Sequence, residues 1–403
     1  QGAVRNINNV TQNISEDVFF GDEIIVTATL DGNLNAGQAV YLRYSDNDFS
    51  SSTIVNMSGS GTSYTASIPS SFNTAGKDVD YYVFTSGTDS NNDSLSISSS
   101  DADFYTINLD NNSGNNYGYN VRSEYITKDG ATSWNDASSW RAGSIPSSSD
   151  DVIIDHDLSL TDDRTVDNLT INAGKTLTNT GYTLKIENGG SITNNGTYSD
   201  NSGTVDFLGN GNISGAISLN NVILNDSNNG VDFNQNSTIN GSLTINSGGF
   251  VDTNSPIYGD NSTLIYNSAN PTGTPYQRRS EWSNAGNQGS PYNVIVQNST
   301  AIDMGADDTT TDAVIDGNLT IKSGSSIFMD FDNNDMEAPL IVKGNFENKN
   351  NGTIVLSNLE NGDLKVNGNF EDNGTFNYNG RALFFEGSND QEITTSVDPY
   401  TID

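Results

Sequence analysis

Short runs in which apolar and polar residues alternate recur along the whole chain, separated by stretches of Gly, Asn, Asp and Ser. Period-2 alternation turns one face of a run towards a core, so the runs read as strands and the stretches between them as turns. In residues 1–109 the runs are 23–30, 39–44, 64–69, 79–84 and 104–109. Their spacing predicts a β-sandwich. Alternation in Tyr81-Tyr82-Val83-Phe84 predicts that one residue of each neighbouring pair faces the core. The stretch 110–122 is polar and predicts a linker between domains.

From residue 123 the pattern changes. After Asp151-Val152-Ile153-Ile154, short strands recur, among them Asn168-Leu169-Thr170-Ile171, Thr183-Leu184-Lys185-Ile186, Ser242-Leu243-Thr244-Ile245, Asn293-Val294-Ile295-Val296 and Leu340-Ile341-Val342. The repeat is loose and roughly 20 residues long, the length of a solenoid coil. A strand this short buries two side chains and cannot offset its own ordering entropy. Stacking equivalent strands ~4.8 Å apart pairs their backbones and merges the small faces into one core. Turns such as Asn172-Ala173-Gly174 and Asn246-Ser247-Gly248 supply the positive φ of sharp corners. Recurrent Asn at such turns predicts side-chain ladders along the stack. The expectation is an all-β chain: a sandwich over 1–109, a linker over 110–122, and a parallel β-helix over 123–403. The stretch 397–403 is itself strand-like, so the helix is expected to be truncated at its C-terminus. The alternative is a series of antiparallel sandwich modules.

Composition adds limits on chemistry. Acidic residues number 51 against 16 Lys and Arg, a net charge of −35. A field of that sign repels nucleic-acid phosphates and anionic membranes and attracts cations. With no Cys, disulfides, thiolate metal sites and a Cys nucleophile are excluded. No run approaches the roughly 20 apolar residues of a membrane span.

Two stretches carry family resemblances. Y-x-A-x-I-P from Tyr64 and G-K-x-V-x-Y-Y-V-F from Gly76 resemble Ig-like or fibronectin-type modules of secreted bacterial proteins. W-N-D-x-x-S-W-x-x-G-x-x-P-x-x-x-D-D-V-I-I from Trp134, followed by N-L-T-I-N-A-G-K-T-L from Asn168, resembles the start of β-helix regions in large secreted proteins of Bacteroidetes. That match covers 132–177 well and the later coils more loosely. The resemblance implies a right-handed parallel β-helix, export through the type 9 secretion system, and attachment to or release from the cell surface. It covers adhesins and polysaccharide-active proteins alike. Trp134 and Trp140 are expected to cap the first coil, whose apolar cross-section must be covered.

The leading functional reading is a non-catalytic, extracellular structural or adhesive surface protein. The alternative is a carbohydrate-binding or polysaccharide-degrading β-helix. Expected partners are an extracellular polysaccharide, a surface or another protein, together with the secretion machinery. Asp330, Asp332, Asn334 and Glu337 form the candidate calcium site, with D-x-D-x-N spacing that can wrap oxygens around one ion. Asp46-Asn47-Asp48 is a weaker version. In the long excursion from Asn267 to Tyr292, Tyr276, Arg278, Arg279 and Trp282 place scarce cations beside aromatics and are the candidate ligand-binding residues. The only histidine, His156, sits between Asp155 and Asp157 and reads as a structural or surface residue. Arg164, Lys185, Arg278 and Arg279 are the cations that a lyase would recruit against an anionic polymer.

Overall fold

The computed structural model describes residues 4–88, 99–226, 228–234, 236–283, 288–305, 310–332 and 335–396. The chain divides into two compact units, one of residues 1–128 with 137–145, the other of residues 129–136 with 146–403. In the first unit one sheet is ordered Ile7–Gln12, Ile24–Leu30, Ser63–Ile68, Ser58–Ser60, all antiparallel. The second is ordered Val18–Phe19, Tyr117–Arg122, Asp78–Ser86, Ala39–Ser45, Thr53–Asn56, with Thr106–Asp110 also on Asp78–Ser86. Only the short Val18–Phe19 pairing is parallel. Alternate residues of both sheets, including Val26, Ala28, Leu42, Tyr81 and Val83, meet in one apolar core.

Two expectations change here. The segment 110–122 is not a free linker, because Tyr117–Arg122 pairs with Asp78–Ser86 in register Tyr117↔Tyr81. Its polar composition hid a strand whose inward tyrosines contribute rings to the core: Tyr117 stacks on Tyr81, centroids 5.5 Å apart, and the Tyr119 hydroxyl donates to Asn73 Oδ1 at 2.9 Å. Nor does Phe84 face water opposite Val83. It stacks on Tyr41 in a smaller cluster with Ala39 and Ala102, so this strand is buried on both faces at that end.

The second unit holds a parallel β-solenoid of about 11 turns beginning at residue 152. One long sheet runs through it, from Arg164–Val166 and Thr183–Ile186 to Phe370–Asp372 and Ile393–Thr395, with every neighbouring pair parallel. Its inward row stacks Leu184, Val205, Val222, Leu243, Leu264 and Val294. The other sides are not continuous. The sheet from Val152–Ile154 to Val231–Asp232 and the sheet from Leu158–Ser159 to Thr197–Asp200 serve the early coils. Sheets starting at Tyr276–Gln277 and at Ala313–Ile315 serve the later ones. The solenoid therefore changes cross-section midway while its long sheet keeps register, Thr263↔Asn293 across the longest excursion.

Two corrections concern the repeat. Each coil carries up to three strands of similar pattern, so strands read from the sequence as equivalent lie on different sides. Ile154 and Ile171 belong to one side sheet, and Leu340–Val342, Leu364–Val366 and Leu383–Phe385 to another. The caps also part company. Trp134 is buried in the solenoid unit, its main-chain N–H donating to Ser159 O at 2.9 Å, whereas Trp140 belongs to the first unit and packs edge-on against Tyr125.

Amide ladders do form. Asn293, Asn318, Asn345 and Asn369 stand at one position of successive long-sheet coils. Each Oδ1 accepts the backbone N–H of the next coil, from Asn318, Asn345, Asn369 and Glu392 in turn, at 2.8–2.9 Å. The residue before each of the last three asparagines is Gly317, Gly344 or Gly368. A Cβ on Gly344 would lie 2.5 Å from Asn318 Oδ1 and 2.6 Å from Gly317 O. These glycines are required by close approach, not by backbone conformation. Gly344→Ala is expected to lower stability by about 1–3 kcal/mol in urea unfolding, while Gly273→Ala, which points into open space, stays within ~0.5 kcal/mol of the parent.

Candidate functional site

The outward side chains of the long sheet form a facet. Its central row, in register, is Lys185, Asp206, Ile223, Thr244, Ile265, Ile295, Thr320 and Glu347. From Ile223 to Thr320 five successive coils place no charge in this row, in a chain of net charge −35. One border holds Asn221, Ser242, Thr263, Asn293 and Asn318. The other is a second amide ladder. Asn225 Nδ2 donates to Asp206 Oδ1 at 2.6 Å, Asn246 to Asn225 Oδ1 at 2.9 Å, Asn267 to Asn246 Oδ1 at 2.8 Å, and Gln297 Nε2 to Asn267 Oδ1 at 3.2 Å. Strand spacing makes the uncharged row ~19 Å along the stack; the area uncharged across its full ~13 Å width covers the first four of these coils, because exposed Lys322 takes the amide position on the fifth. The ladders and half-buried methyls fix its side chains in place, so little rotamer entropy remains to be lost on contact.

The Asn267–Tyr292 excursion does not present its aromatics and cations to solvent as expected. Tyr276, Arg278 and Trp282 are 7%, 1% and 0% exposed. Arg278 spends its guanidinium on main-chain oxygens, Nε to Met304 O and Nη1 to Trp282 O, both 2.8 Å. Trp282 Nε1 donates to Val314 O at 3.2 Å. Only Arg279 is exposed, and its guanidinium lies over the Phe250 ring, 4.0 Å from the centroid. Residues 276–282 are part of the internal architecture, where Tyr276–Gln277 begins a new side sheet by pairing with Ala301–Asp303. Beside it Glu281 is fully buried, and burial pushes its carboxyl above the ordinary range. The same burial raises the hydroxyls of Tyr258, Tyr266 and Tyr276 around it.

The calcium candidates are dispersed. Asn334 lies outside the described residues, and Asp332 and Glu337 are exposed. Asp330 accepts from Asn379 Nδ2 at 2.6 Å and from Asn358 Nδ2 at 3.4 Å. Its carboxyl is raised, first by burial and then by the neighbouring Asp335. An ion there would have to displace both amides. Among the described residues no three His, Cys, Asp or Glu side chains are grouped to hold a metal. The weaker candidate, Asp46-Asn47-Asp48, is tied up locally, with Asp46 paired to Lys77 Nζ at 2.6 Å and Asn47 Oδ1 accepting from Ser51 N at 2.9 Å. His156 Nδ1 sits 4.0 Å from Asp155 Oδ2. Arg164 forms a fork with Asp162, Nε–Oδ1 and Nη2–Oδ2 both 2.7 Å, and also reaches Asn135. Comparison with protein-family models, with characterised proteins and with solved structures finds no match to this chain.

The sequence reading missed Asp303. It is 1% exposed, accepts from Gly305 N at 3.1 Å, and is pushed up to about 6, first by burial and then by Asp332 and Asp335 against the pull of Arg278. Folded Asp303 holds its proton more tightly than the unfolded chain does. That contribution is complete in acid and is lost as pH rises from about 4 through about 6. Asp303→Asn has no proton to lose. Its stability relative to the parent is expected to rise by about 2 kcal/mol between pH 4 and pH 7, read from urea melts at each pH.

Proposed function

We propose that this chain is a non-catalytic, extracellular structural or adhesive surface protein whose contact face is the uncharged facet of the long sheet. The carrying observation is the five-coil row from Ile223 to Thr320, itself free of charge and bordered by amides and hydroxyls except at Lys322 on the last coil. A surface of methyls, hydroxyls and amides matches a neutral polymer that offers C–H faces and hydroxyls, and gives nothing to a polyanion. The partner is accordingly a neutral extracellular polysaccharide. In this reading the N-terminal unit is an Ig-like or fibronectin-type module, the β-helix is right-handed, and export uses the type 9 machinery implied by the resemblance of residues 132–177 to the start of secreted β-helix regions.

The polysaccharide-degrading alternative predicts product. The fork on Arg164 and the carbonyl-bound Arg278 already have partners, which favours display over catalysis. The test is cosedimentation with insoluble neutral and anionic polysaccharides, combined with assays for reducing ends and unsaturated products. Placing charges on the facet with Thr244→Glu and Ile265→Glu forces an unpaired carboxylate against the ligand. The expected result is a loss of neutral-glycan binding of about tenfold or more, with an unchanged melting profile and no product from the parent. Binding indifferent to both substitutions defeats the facet. Product formation abolished by one carboxylate substitution defeats the adhesive reading.

A further inference from the structure

The side sheets change over where Ile257–Tyr258, Thr263–Tyr266 and Tyr276–Gln277 meet the short turn Ser280–Trp282. Glu281 lies at this changeover, buried completely. Both donors with well-formed geometry go to the same oxygen: Tyr266 OH to Oε1 at 3.1 Å and Arg279 N–H to Oε1 at 2.9 Å. Tyr258 OH instead donates to the Glu281 main-chain oxygen at 2.7 Å. Oε2 is buried with no hydrogen bond, and so is the Tyr276 hydroxyl. The two groups interact, yet without a well-formed bond between them.

The charged groups nearby do not neutralise the acid. Arg278 is committed to Met304 O and Trp282 O and faces Asp303, while Arg279 turns its guanidinium onto Phe250. The remaining titratable neighbours are Tyr258, Tyr266 and Tyr276, one from each of three strands. An ionised carboxylate here would leave a bare anionic oxygen in the core, among the costliest groups to bury. One proton on Oε2 removes the charge and supplies a donor to the Tyr276 oxygen.

We propose that Glu281 is a proton-operated latch: as a neutral acid it locks Tyr276–Trp282 into the core where the solenoid changes cross-section, and its ionisation releases that segment. The folded form holds the proton more tightly than the opened form. Above the pH at which an exposed carboxyl ionises, each further unit favours opening by up to tenfold, until the folded-state value is passed.

Hydrogen exchange of peptides spanning 257–283, corrected for intrinsic rates, reads the latch directly. Between pH 6 and pH 9 the opening constant is expected to climb about tenfold or more in the parent and to stay level in Glu281→Gln, which keeps the size of the side chain without its charge. At pH 7 the infrared difference spectrum, parent minus Glu281→Gln, should show the carbonyl band of a protonated acid. Should Glu281→Gln fail to fold, Tyr276→Phe replaces it, and the band is expected to shift because the acid has lost its acceptor. An equal pH response in parent and Glu281→Gln, the absence of a protonated-acid band at pH 7, or a band unmoved by Tyr276→Phe overturns the proposal.

Discussion

Parallel hydrogen bonding between coils is the constraint from which the rest of the second unit follows. Strands of three or four residues have no stable existence singly, and a strand's backbone groups are satisfied by the coils before and after it. Register must therefore be kept over the whole stack. The long sheet keeps it even where its flanking sheets stop and others begin. The excursion that makes the change possible is long because it has two tasks, returning to the long sheet at Asn293 and starting a new side with Tyr276.

Side chains take up the same geometry. The asparagines that accept a backbone N–H from the next coil add a second series of bonds to the sheet, and the amides of Asn293, Asn318 and Asn345 fix Gly317, Gly344 and Gly368 of the following coils as glycine because each amide occupies the space of a Cβ. Inside, the corresponding row is aliphatic from Leu184 to Leu319 and then passes through the ring stack of Phe346 on Phe370, 5.0 Å apart, before Ile393. Beside those rings Asn348 Nδ2 donates to Asp372 Oδ1 at 2.7 Å, so the last coils bury a polar pair instead of aliphatic contacts. Where polar groups go inside, here and around Glu281, they bring partners from several strands.

The sequence displayed the class of fold plainly, because alternation and Gly/Asn turns follow directly from strand geometry. It was less informative about which side of a coil a strand occupies, since all sides share the same short pattern. A partial marker was present: Gly317-Asn318-Leu319, Gly344-Asn345-Phe346 and Gly368-Asn369-Phe370 repeat a glycine–asparagine–apolar run on successive long-sheet coils, although Gly211-Asn212-Ile213 carries the same run on a side sheet. Tyr117–Arg122 escaped because tyrosines interleaved with Asn and Gly look like a linker until their rings are seen in a core. Arg278 and Trp282 suggested a ligand face because cations and aromatics together usually meet solvent. The adjoining Glu281 was the sign that a polar cluster had been folded inward. The facet was legible in outline as the outward Asn-x-Ile pairs Asn221/Ile223 and Asn293/Ile295, but its freedom from charge emerges only when successive coils are set in register.

The asparagine ladder has a direction: every amide oxygen takes a proton donor from the coil that follows it. A coil thus carries its own connector and the socket for its predecessor, much as a roof tile carries its own overlap. Whole turns bearing the Gly-Asn pair share this connector, whereas half-turns do not. Lengthening or shortening of such a rod by recombination preserves its fit only in steps of one complete coil.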